Sequence, residues 1–457
     1  MFFLRSGGDR GMVSVKNAAR RSAKRGAAAK RKDENILDDR ARAVDSGLWH
    51  RLKYLRKRAR AREVKMYTFL LALIYLAFIS LGLPDSLLGS GWPVMHVELG
   101  VPVSYLGIVT MVVSGGTIVS SLLSDRLTRR LGTKWVTVVS VFLTAAALIG
   151  FSFAARFWTL IVFAIPYGLG AGAIDAALNN YVAVHYASKH MSWLHCFWGV
   201  GTIVSPFVMS RALSSSGWNS GFLIVGIVQA AIGVILLATV PVWKVNKRAE
   251  EDVPQKRIGT VGALKLKGVP FLLIAFFAYC AGEATVMGWA STYFVQVKAM
   301  DAEKAAQLAS LFYIGMTAGR LVSGFVTERL GDRKMIAIGA SVLAAGVVLV
   351  AIPTDNVAVA IAGFLIIGLG CAPIYPCMIH STPGNFGHEN SGAIIGLQMA
   401  FAYCGSTFMP PLFGAIGGKV GFGFMPWYLL GFFAVMIVMS ELMFRAAAKR
   451  GKEGIAG

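Results

Sequence analysis

The sequence predicts an all-α membrane protein: twelve transmembrane helices in two pseudo-symmetric six-helix halves. Three observations carry that prediction. Of 457 residues, 56% are hydrophobic and only 15% are charged, with a mean hydropathy of +0.61; a soluble domain of this size is far more polar. Twelve apolar runs are long enough to cross a bilayer at about 20 residues each. The runs fall into two blocks, 67–243 and 270–446, each of 177 residues and six runs, on either side of a charged stretch. Equal blocks of this kind imply an internal duplication.

The chain begins with a basic segment. Residues 1–66 hold 20 Lys/Arg against 7 Asp/Glu, a large share of the net charge of +22. Low apolar content predicts a disordered cytoplasmic tail, and LWHRLKYLRKRARAREVK reads as a basic amphipathic helix on the membrane surface. Its expected partner is anionic lipid headgroups, not nucleic acid, because no nucleic-acid-binding motif accompanies the charge. A start at Met66 is the alternative for this segment. MFFL is too short for the apolar core of a signal peptide, so the first long run is expected to remain as a helix.

The expected spans are 67–95, 104–124, 135–155, 157–185, 193–213 and 219–243, then 270–296, 305–327, 335–353, 356–381, 391–415 and 425–446. Between the two sets lies WKVNKRAEEDVPQKRIGTVGALKLKG, a basic linker over 244–269, and after them a short tail, 447–457. With both termini inside, the cytoplasmic loops and C-terminal tail hold 18 Lys/Arg against 4 in the external loops. The positive-inside rule therefore places the N- and C-termini in the cytoplasm of a multi-pass cell-membrane protein.

The enzyme classes find no support. The five cysteines lie in apolar runs without metal-ligand spacing and read as packing residues. No phosphate-binding loop, zinc cluster or nucleophile triad stands out, so no cofactor or metal is expected. Without an ATP-binding domain, active transport would be secondary.

Two short turns repeat one pattern. SDRLTRRLGTKW follows the second run, with Asp125, Arg126, Arg129, Arg130, Gly132 and Lys134. GFVTERLGDRKM follows the eighth, with Gly324, Glu328, Arg329, Gly331, Arg333 and Lys334. Glycine permits a tight turn, and acid–base pairs there can hold one gate state and release in another. Arg320, two helical turns before Glu328, is expected to pair with the same gate. The second copy closely matches the loop motif of the major facilitator superfamily, and the twelve-span layout over 67–446 resembles that superfamily. The resemblance implies a transporter with a central cavity opening alternately to each side.

Acidic residues inside apolar runs are costly in lipid and usually mark substrate or proton pathways. Asp85 follows Pro84 in the first run, where proline removes a helical hydrogen bond. Asp175 lies mid-run in the fourth, followed by Asn179 and Asn180; Asp175 and Asn179 share a helix face. That face either lines a cavity or makes a structural hydrogen bond. Glu283 lies in the seventh run, the counterpart of the first, with Trp289 and Tyr293 beyond it; it either couples protons or bonds a broken helix. Tyr375 sits between Pro373 and Pro376 in the tenth run, where two prolines predict a distorted helix. Gln398 lies in the eleventh.

GLGAGAIDAALNNYV followed by WLHCFWGVGTIVSP is similar to the fourth and fifth spans of fucose:proton symporters and related sugar permeases. The resemblance implies that Asp85 and Asp175 couple protonation to sugar binding, with Asp in place of the family's Glu in the fourth span. It implies that Asn179 matches an Asn one turn past that acid, and that His195 replaces a sugar-contacting Gln. Trp198, one turn on, either stacks on a solute or packs. The expected function is proton-coupled uptake of a small polar solute such as a sugar. Asp85, Asp175 and Glu283 serve the protons, and Asn179, Asn180, His195, Trp198, Trp289, Tyr293, Tyr375 and Gln398 the solute. Two other readings stay open: proton-antiport efflux of amphipathic compounds, and a non-transporting receptor or scaffold.

Overall fold

A computed structural model describes residues 65–246, 258–300 and 302–453. The basic tail over 1–64 with nearly all of its expected surface helix, linker residues 247–257 and the final residues 454–457 lie outside the described residues. Among the described residues every element is helical. Twelve helices are long and apolar enough to span a membrane: Lys65–Glu98, Leu106–Leu131, Thr133–Ser152, Phe157–His185, Ser188–Leu213 and Trp218–Ala238, then Val269–Lys298, Leu308–Leu330, Asp332–Ala351, Val357–Phe386, His388–Val420 and Phe422–Arg450. They are numbered first to twelfth below. From the linker, the described residues include the short helix Thr260–Leu264.

The duplication is written in backbone geometry. The second-to-third connection turns at Gly132 (φ +79°, ψ 151°) and the eighth-to-ninth at Gly331 (φ +78°, ψ 158°). These positive φ values are strained for any side chain with a Cβ. Helix crossings repeat too. A Cβ on Gly168 would lie 2.2 Å from the Val113 carbonyl oxygen, and one on Gly368 would lie 2.2 Å from that of Phe312. The fourth span therefore meets the second backbone to backbone, as the tenth meets the eighth. Lipid offers no hydrophobic drive between helices, so close packing at small residues supplies the attraction.

The first span is interrupted. Helix runs over 65–82, turns over 83–86 and resumes as Leu87–Glu98. Pro84 cannot donate to the ladder, and Asp85 N–H reaches only the Gly82 carbonyl at 3.3 Å. The fifth span seals the break. A Cβ on Gly201 would lie 2.4 Å from the Ile79 carbonyl, and the Ser86 hydroxyl donates to the Thr202 carbonyl at 2.7 Å. The tenth span is one continuous helix through Pro373, Pro376 and Pro383. Close neighbours brace it: Tyr279 donates to the Cys371 carbonyl at 3.0 Å, and a Cβ on Gly339 would lie 2.7 Å from the Pro373 ring. Packed neighbours of this kind let a membrane helix tolerate proline.

Candidate functional site

A cavity of about 850 Å³ lies between the halves. Asp85, Asp175, His195, Trp198, Glu283, Arg320, Tyr375 and Tyr403 line it, with Phe78, Phe151 and Phe222 among its apolar walls. It extends from mid-bundle toward the end opposite the Gly132 and Gly331 turns, where Leu106, Gly107 and Thr110 of the second span line it. Its floor faces the turn end.

Each acid has its own setting. The broken first span exposes Asp85 to the cavity. Its Oδ1 accepts from the Tyr167 hydroxyl at 3.3 Å, and its Oδ2 from the Trp198 indole N–H at 2.8 Å. Asp175 is buried at 4% exposure. Asn179 Nδ2 donates to its Oδ1 at 2.8 Å, as the shared helix face predicts, and the Tyr403 hydroxyl donates to its Oδ2 at 2.8 Å. His195 Nε2 and Asn179 Oδ1 lie 3.1 Å apart. Because Asn179 spends its amide N–H on Asp175, its oxygen accepts, and His195 donates. Glu283 Oε1 accepts from the Tyr279 hydroxyl at 2.8 Å and faces Arg320 Nη2 at 3.4 Å.

Arg320 departs from expectation. It lines the cavity, 4% exposed, where it pairs with Glu283 and sits 5.6 Å from the Trp198 ring centroid. Two turns of helix, about 12 Å of rise, separate it from Glu328, so the turn-end gate is beyond its reach.

Five residues expected at the solute site do not line the cavity: Asn179, fully buried behind Asp175, and four others. Asn180, one residue past Asn179, is rotated by about 100° on the helix; its Oδ1 accepts from Ser391 at 2.6 Å. Gln398 is fully buried, with its Oε1 accepting from Thr382 at 2.8 Å. Met399 and Tyr403, one turn apart, hold the face of the eleventh span that meets Asn179 and Asp175. Trp289 donates to the Pro410 carbonyl at 2.8 Å and stacks on Phe422. Tyr293 donates to the Val350 carbonyl at 3.0 Å.

At the turn end the halves touch. Lys189 Nζ lies 3.1 Å from Glu328, and Ser188 donates to Asp332. His380 meets Asp332 Oδ2 at 2.7 Å through Nδ1 and the Tyr186 carbonyl at 3.1 Å through Nε2. Both contacts are acceptors, and only the imidazolium donates from both nitrogens. Asp125 pairs with Arg129 at 2.8 Å and faces Gly392 of the eleventh span. Arg333 pairs with Glu441 of its own half at 3.0 Å. Arg126, Arg130 and Arg329 are exposed. Gly324 makes room for the Trp193 indole, whose nitrogen a Cβ would approach to 2.1 Å.

Sequence reasoning missed Tyr167, Tyr279 and Tyr403, the phenols that donate to the three acids. Tyr279 carried a signal, lying one turn before Glu283. It also missed Asp332, an unnamed position inside the second turn motif, and His380, four residues past Pro376. Among the described residues no group of three or more His, Cys, Asp or Glu is placed to hold a metal ion.

Comparison with known proteins follows the same outline. The Major Facilitator Superfamily model matches residues 74–308 and again 299–456. Bypass of stop codon protein 6 of Saccharomyces cerevisiae is 24% identical over 405 residues, spanning 78% of this chain and 79% of that protein. The glucose/mannose transporter GlcP of Bacillus subtilis is 24% identical over 230 residues, 48% of this chain and 55% of that one. A solved structure of the E. coli fucose:proton symporter FucP superposes with a TM-score of 0.69 at 16% identity, covering 83% of this chain and 99% of the symporter. That likeness carries the fold alone. From the repeated turns, the repeated helix crossings and the doubled family match, the chain belongs to the Major Facilitator Superfamily of transporters.

Proposed function

We propose that the chain takes up a small polar solute, a sugar in the first instance, together with protons by alternating access. The observation that carries this reading is Asp175, a buried carboxylate at the cavity wall whose donors among the described residues, Asn179 and Tyr403, are both neutral. Asp85 is held the same way, by Tyr167 and Trp198. A carboxylate with neutral partners can gain a proton without stranding a buried cation. Neutralising both acids lowers the cost of passing through a closed, drier state. Glu283 serves differently: its ion pair with Arg320 keeps that guanidinium compensated. His195, Trp198, Tyr375 and the Asn179–Asp175 pair offer hydroxyl partners and aromatic faces to a solute. The likeness to the glucose/mannose transporter GlcP and the fucose:proton symporter FucP supports the sugar and the proton. The basic turns and linker support an orientation in a cell membrane with the turn end on the cytoplasmic side.

One observation favours a second reading. Among the described residues, Arg320 Nε is buried without a hydrogen-bond partner, which suits a solute carrying a carboxylate.

Proteoliposome uptake under an inward proton gradient tests both, with monosaccharides and sugar acids as parallel arms. Accumulation of a monosaccharide is expected for the wild type, and its loss is expected for Asp175→Asn with the protein still folded. Full accumulation by Asp175→Asn removes the residue from the mechanism. Accumulation only of sugar acids selects the second reading, and export down the same gradient turns the assignment to antiport.

A further inference from the structure

The three cavity acids differ in whom they touch. Asp85 accepts from Tyr167 and Trp198, both in its own half. Glu283 accepts from Tyr279 and Arg320, both in its own half. Asp175 alone among them, in the described residues, has a side-chain donor from the opposite half: Tyr403 of the eleventh span, at 2.8 Å. Among the described residues, the other contacts across the seam near this level involve no carboxylate: Ser391 of the eleventh span donates to Asn180 Oδ1 at 2.6 Å, and Arg320 lies 5.6 Å from the Trp198 ring centroid. Asn179 reaches the Met399 sulfur at 3.9 Å, and His195 meets Tyr375 edge to face at 4.8 Å.

We propose that the Tyr403 hydroxyl makes the seam between the halves sensitive to the charge on Asp175. This rests on the proton-coupled reading above and adds the residue that passes the protonation on. A phenol donating to a carboxylate makes a charge-assisted bond, roughly twice as strong as one to a neutral acceptor. With Asp175 charged, Tyr403 ties the eleventh span to the fourth. A proton arriving from the cavity neutralises the carboxyl, weakens that tie and frees the halves to repack. Asp175 Oδ1, bonded within its own helix to Asn179, feels the same change without transmitting it.

Other titratable groups face this pair. His195 comes from the fifth span, Tyr375 from the tenth, Cys280 and Glu283 from the seventh, Arg320 from the eighth and Asp85 from the first; all line the same cavity. The experiment must therefore isolate Asp175. Spin labels carried on a genetically encoded ketone amino acid at positions 134 and 334, one in each turn, leave the five cysteines in place. Distances between the labels are measured in lipid nanodiscs without solute as pH is lowered.

The wild type is expected to shift toward wider turn-end separations at acid pH. Asp175→Asn and Tyr403→Phe are each expected to give the acid-type distribution at every pH, and Tyr403→Phe to lose gradient-driven accumulation while retaining solute exchange. Tyr403→Phe removes one oxygen and keeps the ring; equal melting temperatures for variant and wild type check the fold. A Tyr403→Phe variant that keeps the wild-type pH response overturns the proposal, and so does a wild type whose distances ignore pH. A wild type that responds to pH through Tyr403 yet accumulates no solute fails the transport reading and leaves this one standing.

Discussion

The two halves share a scaffold and divide the chemistry. Gly168 and Gly170 of the fourth span pack against the second and third; Gly368 and Gly370 of the tenth pack against the eighth and ninth. Gly201 approaches the Ile79 carbonyl and Leu83 N–H of the first span, and Gly405 approaches the Phe277 carbonyl and Ala281 N–H of the seventh. Two residues past Leu83 lies Asp85, and two past Ala281 lies Glu283. The acids are thus counterparts, as expected from the order of the spans. The first span breaks there, whereas the seventh is one helix from Val269 to Lys298.

Beyond the scaffold the copies part. The glycine register that takes 168 to 368 takes Asp175 to Tyr375. The register that takes the Gly132 turn to the Gly331 turn takes Ser121 to Arg320. Ser121 only donates to the Gly172 carbonyl, while Arg320 compensates Glu283. The first half therefore holds two cavity acids with neutral partners, and the second holds one acid locked to a cation. Backbone contact between helices tolerates no drift, because a single Cβ collides with a carbonyl. A side chain facing a cavity collides with nothing, so charge can be assigned to one copy alone.

The largest expected effect tests the shared scaffold. Gly168→Val and Gly368→Val should each damage folding by more than the roughly 1–3 kcal/mol of ordinary overpacking, seen as lost monodisperse yield in detergent chromatography. If one is tolerated and the other is not, the two crossings are not equivalent. The next tests the division of charge. Glu283→Gln leaves Arg320 buried and uncompensated, at a cost of about 3–5 kcal/mol; thermal unfolding should record it, and adding Arg320→Gln should restore much of it. A lone Glu283→Gln as stable as the wild type would show that the pair is not the reason for the acid. The smallest effect lies at the turn end. Lys189 and Glu328 are 31% and 45% exposed, so Lys189→Ala should change stability by only about 0–1 kcal/mol. Asp332→Asn should matter more, since Asp332 meets both Ser188 and His380; label separations at the turns would rank the two.

Much of the candidate site was legible at single residues. Asp85, Asp175 and Glu283 were picked because a charge in an apolar run is costly, Asn179 because it shares a helix face with Asp175, Tyr375 by its flanking prolines, and His195 and Trp198 through the family resemblance; all except Asn179 line the cavity. Asn179 lies behind Asp175 and joins it to His195. Asn180 and Gln398, polar groups in apolar runs, and Trp289 and Tyr293, picked for their place beyond Glu283, lie elsewhere. Polarity signals that a residue needs a partner but not which partner. Gln398 finds Thr382, and Asn180 finds Ser391. Tyrosine carries no such signal, because its ring is at home in an apolar helix whether or not its hydroxyl is used. Tyr403 therefore passed unnoticed beside Gln398.

The sequence by itself determined the class, the twelve spans, the duplication and the turn glycines. Hydropathy, span length and a required positive φ are local properties that a linear chain displays directly. Only the tertiary structure decided that Arg320 compensates Glu283, that Tyr403 reaches Asp175 across the seam, and that Asp332 and His380 join the halves at the turn end. Each depends on the rotation of one helix about its axis and the placement of a helix far along the chain, and the pattern of apolar residues around a membrane helix fixes neither.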